Sequence, residues 1–245
     1  MRRIVFAALL LAGCQSTPAV IEPTPIVIES TPDNVAAQFA DVAFGAEFGV
    51  GRGTLRRWQR RPSLWVYIEG GFDPRPYVRA GSDADAVAAR ISGLPIKDAA
   101  DLESSTLLVA FVPRKEFRKH LPEKLFTDWD RSTYERFITT SACLAILTYD
   151  GAPDVISGAI ILIGTDIPKD QMRHCIAEEL VQIRGLPNDA CHYRPSLFCE
   201  SDLVYKLTEA DKILLRTLYD SRLRPGMTKA EAMPIARQII AEQMR

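Results

Sequence analysis

The chain has 245 residues, of which 47% are apolar and 25% charged, so a sizeable core can form. Lys and Arg number 30 against 31 Asp and Glu, a formal net charge of -1. That balance supplies neither a basic field to gather nucleic acid nor the acidic block of a solvated tail, and no nucleic-acid partner is expected.

Arg2 and Arg3 precede an unbroken apolar run over 4–12. Basic residues ahead of a short apolar stretch make an export signal, because the run is too short to span a bilayer. It ends Leu11-Ala12-Gly13-Cys14, which resembles the lipobox of bacterial lipoproteins. The resemblance implies that residues 1–13 are removed and that Cys14 becomes a lipidated N-terminus. Each buried lipid CH₂ adds about 0.8 kcal/mol of anchoring, so several acyl chains hold the protein to the bilayer. Gln15, rather than Asp, implies sorting to the outer membrane, facing the periplasm. Residues 14–32 carry Pro18, Pro23, Pro25 and Pro32 and read as an extended tether. A single domain over 33–245 follows.

The domain opens with a helix over 34–44. Gly49-Val50-Gly51-Arg52-Gly53 is a flexible connection, with the wrong spacing for a dinucleotide turn. A strand over 64–68 stops at Gly70-Gly71, a helix over 83–91 stops at Gly93, and an apolar strand over 106–112 stops at Pro113. The charged stretch 114–132 reads as helix and loop anchored by Phe117, Phe126 and Trp129, with His120 given no chemical role. Strands over 142–149 and 157–164 come next. Ser157-Gly158 has no nucleophile-elbow context. Pro168 and Asp170 open a helix that runs to Arg184, with Gly185 as its C-cap. Thr208 with Asp211 and Thr228 with Glu231 start the last two helices as capping boxes. This order predicts an α+β domain: a mixed twisted sheet with a helical C-terminal part.

Four cysteines remain after Cys14. An even count in an exported chain suggests two disulfides. Of three pairings, Cys191–Cys199, closing a loop, and Cys143–Cys175, tying a strand to a helix start, are favoured. No Cys-x-x-Cys spacing supports a zinc–cysteine site.

The informative stretch is Glu178-Glu179-Leu180-Val181-Gln182-Ile183-Arg184-Gly185-Leu186-Pro187-Asn188-Asp189. Glu178 and Gln182 are four apart and share a helix face, as does His174; a turn at Gly185 lets Asn188 come back near that face. The pattern resembles the metzincin branch of zincin metallopeptidases, His-Glu-x-x-His-x-x-Gly-x-x-His. On that motif Glu178, Gln182 and Asn188 stand at the three ligand positions, Glu179 at the general base and Gly185 at the turn glycine. Arg57-Trp58 with Val66-Tyr67-Ile68 resembles the first zincin strand, Ser157-Gly158-Ala159-Ile160 the edge strand of the substrate cleft, and 207–219 the last helix. The whole is similar to an uncharacterised family of proteobacterial lipoproteins that carries the same Glu-Glu-x-x-Gln motif.

All three histidine ligands are missing, and neutral amides are poor zinc ligands. Without zinc no bound water is acidified for Glu179 to deprotonate. No zinc is therefore expected; a harder cation at Glu178 and His174 is the remaining metal option, with His192 a further ligand. The resemblance then implies an envelope-anchored zincin-like domain without zinc catalysis, binding a peptide or envelope protein. Two alternatives stand beside it. One is a peptidase-like hydrolase using Glu179 as general base, which requires Glu178 and Glu179 to converge on a cleft with His174. The other is a structural staple in which Glu178, Gln182 and Asn188 hydrogen-bond in place of a metal.

Overall fold

The structure is a computed structural model that describes residues 26–45, 53–121, 138–150 and 154–245. The expected signal peptide, Cys14, most of the tether, most of the glycine-rich stretch, and the anchors Phe126 and Trp129 lie outside the described residues.

Seven strands are present among those residues: β1 (Arg57–Trp58), β2 (Ser63–Ile68), β3 (Lys97–Asp98), β4 (Leu107–Val112), β5 (Cys143–Thr148), β6 (Val155–Ile156) and β7 (Gly158–Gly164). Five of them form one mixed sheet in the order β3-β2-β4-β7-β5, and β1 and β6 pair separately. The first four strands of that order run parallel, while β5 is antiparallel to β7. The helices are α1 (Pro32–Phe44), α2 (Arg75–Ser92), α3 (Lys169–Gln182), α4 (Glu209–Tyr219) and α5 (Lys229–Gln243). The fold is a mixed α/β one, as the element order predicts.

Strand alternation sorts the side chains. Leu107, Val109 and Phe111 of β4 and Ala159, Ile161 and Ile163 of β7 share one core with Met172, Cys175 and Ile176 of α3. Ala110, Val112 and Leu162 face the opposite side with Phe117, Leu121 and Ile138. A separate helical core joins α1, α2, α4 and α5 to the loop after α3.

Three expectations need correction. The strand at the cleft edge is not β7, which lies between β4 and β5. Its continuous apolar run is buried on both faces, which suits an interior position; the edge belongs to β5. Helix α2 starts eight residues before the expected Asp83. Pro76 sits in its first turn, where the missing N–H costs nothing, and Gly81 interrupts the apolar pattern for a packing reason. A Cβ at Gly81 would overlap Ile176 of α3, so glycine is what lets the two helices close. Finally, α3 ends at Gln182, three residues before Gly185, with Ile183 as its C-cap. The carbonyls past its end are taken up by the chain around them: Trp58 Nε1 donates to Ile183 O at 2.8 Å and Tyr219 Oη to Arg184 O at 2.9 Å.

Both favoured disulfides form: Cys143–Cys175 ties β5 to α3, and Cys191–Cys199 closes the loop that follows α3. Two disulfides mark an extracytoplasmic protein. Among the described residues no helix is long and apolar enough to cross a membrane.

Gly185 has φ +120, and a Cβ there would overlap the Arg56 carbonyl oxygen. Strain and overlap act together, so Gly185→Ala should lower stability by about 2 kcal/mol or more in urea unfolding. A neutral substitution would mean that the turn after α3 is not held this closely.

Candidate functional site

Helix α3 carries acidic residues where a helix packed under a sheet ordinarily carries apolar ones. His174, Glu178 and Gln182 recur every four residues along one face, with Cys175 and Glu179 one position on. All five are buried, Glu178 to 5% exposure and Glu179 to 3%. The Cys143–Cys175 bond fixes this face against the start of β5. The loop after α3, folded back by Cys191–Cys199, brings Asp189 and Glu200 over it.

These elements enclose a cavity of about 40 Å³. Its floor is His174, Glu178, Glu179 and Gln182, and its mouth includes Ser141, Gln171, Glu200 and Leu203. That is room for a few water-sized groups. Four carboxyl groups and one imidazole line the cavity; no Lys or Arg does.

The polar groups divide into those with partners and those without. Gln182 Nε2 donates to Asp189 Oδ1 at 2.6 Å. His174 Nδ1 is paired with the Val204 carbonyl, and its Nε2 stands 2.9 Å from Glu178 Oε2, outside hydrogen-bonding geometry. Glu178 is hydrogen-bonded to Asp189, while Glu179 Oε2 is buried with no hydrogen-bond partner. Asp211 shows the contrast. It is equally buried, but it accepts from Tyr193 Oη and Ser196 Oγ, both at 2.7 Å, and from the backbone N–H of Leu197 and Thr208. Asp211 is a structural acid with its lone pairs occupied; Glu179 is not.

Burial, reinforced by Asp189 and Glu200, raises the Glu178 carboxyl well above the ordinary glutamate range. Burial and then the neighbouring Glu178, Asp189 and Glu200 raise Glu179 likewise. Asp189 is carried up to about 6, chiefly by burial, against the lowering effect of its hydrogen bond with Glu178. Like charges in a low-dielectric space cannot all ionise, so protons are retained on part of the cluster at neutral pH.

The expected site residues thus separate. His174, Glu178, Glu179 and Gln182 come together at one cavity. Asn188 does not join them: its Nδ2 donates to Asp41 O at 3.3 Å and Asp189 O at 3.0 Å, as ordinary turn chemistry allows. His192 is at the surface against Asp41 Oδ2 at 2.7 Å, so the His174–Glu178–His192 grouping does not form. His120 lies 3.7 Å from Glu69, away from the cavity lining. The proposed staple also differs from expectation, because Asp189 rather than Glu178 receives Gln182. Asp189 and Glu200 are additional cavity acids; the signal for Glu200 was its place beside Cys199, whose pairing with Cys191 turns the chain back.

The zincin resemblance implies a zinc ion at 178, 182 and 188, and these residues do not fit one. Gln182 and Asn188 commit their amides to other partners, and Asn188 is not in the cavity lining. Among the described residues no three His, Cys, Asp or Glu side chains are grouped to hold a metal ion.

A protein family of unknown function, DUF2927, matches this chain over residues 32–238. The chain belongs to that family. The matched stretch begins with α1 and ends inside α5, so it takes in the whole sheet and every residue of the acidic cavity. No curated protein matches the chain.

The raised carboxyls set the sign of the pH dependence. In the unfolded chain Glu178 and Glu179 ionise near 4.5; in the fold they hold their protons to higher pH. Their contribution is intact below 4.5 and is lost as pH rises from there towards their folded values. Asp189 adds a loss between its ordinary 3.8 and about 6. Glu179→Gln, which cannot ionise, should therefore match the original chain near pH 4 and exceed its urea midpoint increasingly towards pH 8. Parallel pH profiles would show that Glu179 is not held protonated.

Proposed function

We propose that this chain is an envelope-anchored binding domain on a zincin-derived scaffold, without zinc catalysis, that holds an extended peptide along the open edge of β5. The observation that carries the reading is the meeting of that edge with the acidic cavity: Ser141, Ala142 and Cys143, at the start of β5, form part of the cavity lining. A strand laid on β5 would run past the cavity mouth.

Among the described residues no strand pairs with the outer side of β5. Gly164 N–H donates to Ala142 O at 2.9 Å, and the antiparallel alternation from that bond sends the backbone groups of Cys143, Ala145 and Leu147 outward. Unpaired edge groups are a template for β-augmentation, in which main-chain bonds supply affinity and pockets supply specificity. The zincin descent is supported by a mixed sheet with the motif-bearing helix packed beneath it and by the 207–219 stretch forming α4 behind it. The lipid anchor rests on Leu11-Ala12-Gly13-Cys14 and agrees with the extracytoplasmic disulfides. It places the domain in the periplasm, most readily at the outer membrane.

One observation favours a hydrolase instead: Glu178 and Glu179 do converge on one cavity with His174, as an acid/base pair requires. The cavity is small for a scissile bond and its neighbours, which keeps binding as the better reading.

Binding to a library of extended peptides, measured by fluorescence anisotropy, separates the two. Association without cleavage is expected, and Ala145→Pro should abolish it while leaving thermal stability nearly unchanged, because the lost N–H faces outward. Cleavage of casein or the library that disappears in Glu179→Gln, or stoichiometric zinc in the purified protein, would contradict the binding role.

A further inference from the structure

From the acidic cavity we infer a ligand class: the pocket beside β5 receives a primary ammonium group, either a lysine-type side chain or a free amino terminus. The inference rests on the peptide-binding reading for how the ligand arrives, but on the cavity alone for what is recognised.

Charge comes first. The lining holds Glu178, Glu179, Asp189 and Glu200 and neither Lys nor Arg. A buried group of carboxyls is costly unless each is protonated or meets a cation. Partnering comes second. Glu179 Oε2 is a buried acceptor with no donor, whereas the buried carboxylate of Asp211, elsewhere in the fold, is fully paired. An orphaned acceptor on the floor of a pocket that opens to solvent calls for a donor from outside.

Size and geometry select the donor. A space of about 40 Å³ has room for a few water-sized groups, and so for a small head group. An ammonium is that size and has three donors and no acceptor. A guanidinium is a broad rigid plane whose five N–H donors form a fixed fork suited to a single carboxylate, whereas the three donors of an ammonium rotate to meet separate acceptors. A metal ion needs several ligand atoms gathered around one point at 2.0–2.6 Å, and no such grouping exists among the described residues. An ammonium makes looser hydrogen bonds at ordinary N–H···O distances, which dispersed carboxylates can meet. On entry it exchanges the proton of a carboxyl for its own positive charge, so no unpaired charge is left buried.

The test compares N-acetylated peptides that differ at one residue, Lys, norleucine, acetyl-Lys or Arg, for binding to the purified full chain by calorimetry. A matching peptide with a free amino terminus and no Lys distinguishes the two sources of ammonium. An ammonium meeting buried carboxylates should favour its peptide over the norleucine one by roughly ten- to a hundredfold, with Arg weaker than Lys. Glu178→Gln and Glu179→Gln should erase that preference without abolishing peptide binding. Equal affinity for the Lys and norleucine peptides would overturn the ammonium pocket and leave the β5 reading standing. In a parallel measurement n-butylammonium should raise the melting temperature of the full chain, and tetramethylammonium should not. That result with no peptide binding at all would uphold the pocket and sink the β5 reading. Micromolar stabilisation by Ca²⁺ or Zn²⁺ that excludes n-butylammonium would assign the pocket to a metal instead and overturn the inference.

Discussion

An ionised carboxylate moved into a protein interior must find a counter-charge, find donors, or give up its charge. Helix α3 places two glutamates in that position, and much of the architecture serves to keep them there. The Cys143–Cys175 bond prevents the acidic face from rotating away from β5. Trp58 and Tyr219 grip the carbonyls just past the helix end. The loop closed by Cys191–Cys199 adds Asp189 and Glu200 instead of cations. A scaffold under selection for stability alone would have apolar residues at 178 and 179, since burying unpaired acids works against folding. Their presence in a rigid frame is what the proposed ammonium pocket accounts for.

The comparison between Asp211 and Glu179 shows why burial by itself decides nothing. Both are acids on helices, and both are removed from water. Asp211 closes a capping box, receives two hydroxyls and ties the loop at 193–197 to α4, so its lone pairs are committed to the fold. Glu179 has an oxygen committed to nothing. Function is better sought in the uncommitted group than in the merely buried one.

Much of this organisation was legible in the sequence. The apolar runs gave the longer strands, the Thr208 and Thr228 boxes gave the starts of α4 and α5, and the cysteine spacing suggested the pairing that forms. The face shared by His174, Glu178 and Gln182 followed from helical periodicity alone. What the sequence does not disclose has physical causes. Gly81 hid the first half of α2, because a glycine required by helix–helix contact looks like a helix breaker. The β7 run was placed at an edge, although burial on both faces belongs to an interior strand. Asn188 was given a ligand's position by motif alignment, yet a turn residue bonds to whatever backbone is near, here Asp41 and Asp189. Asp189 and Glu200 reach the cavity only because a disulfide folds the loop back, and periodicity along one helix cannot register that.

The proposed ammonium pocket requires that Glu178 and Glu179 keep their protons where ordinary glutamates have lost them, and that one is yielded to an arriving cation. Carbon-13 NMR of the glutamate side-chain carboxyls, assigned by Glu178→Gln and Glu179→Gln and followed from pH 3 to 9, observes this directly. Two resonances that titrate well above the ordinary range, one of which shifts to its ionised position at neutral pH when a lysine peptide is added, are the predicted result. Two carboxyls that titrate near 4.5 in the free protein would contradict it and leave α3 with an ordinary solvated acidic face.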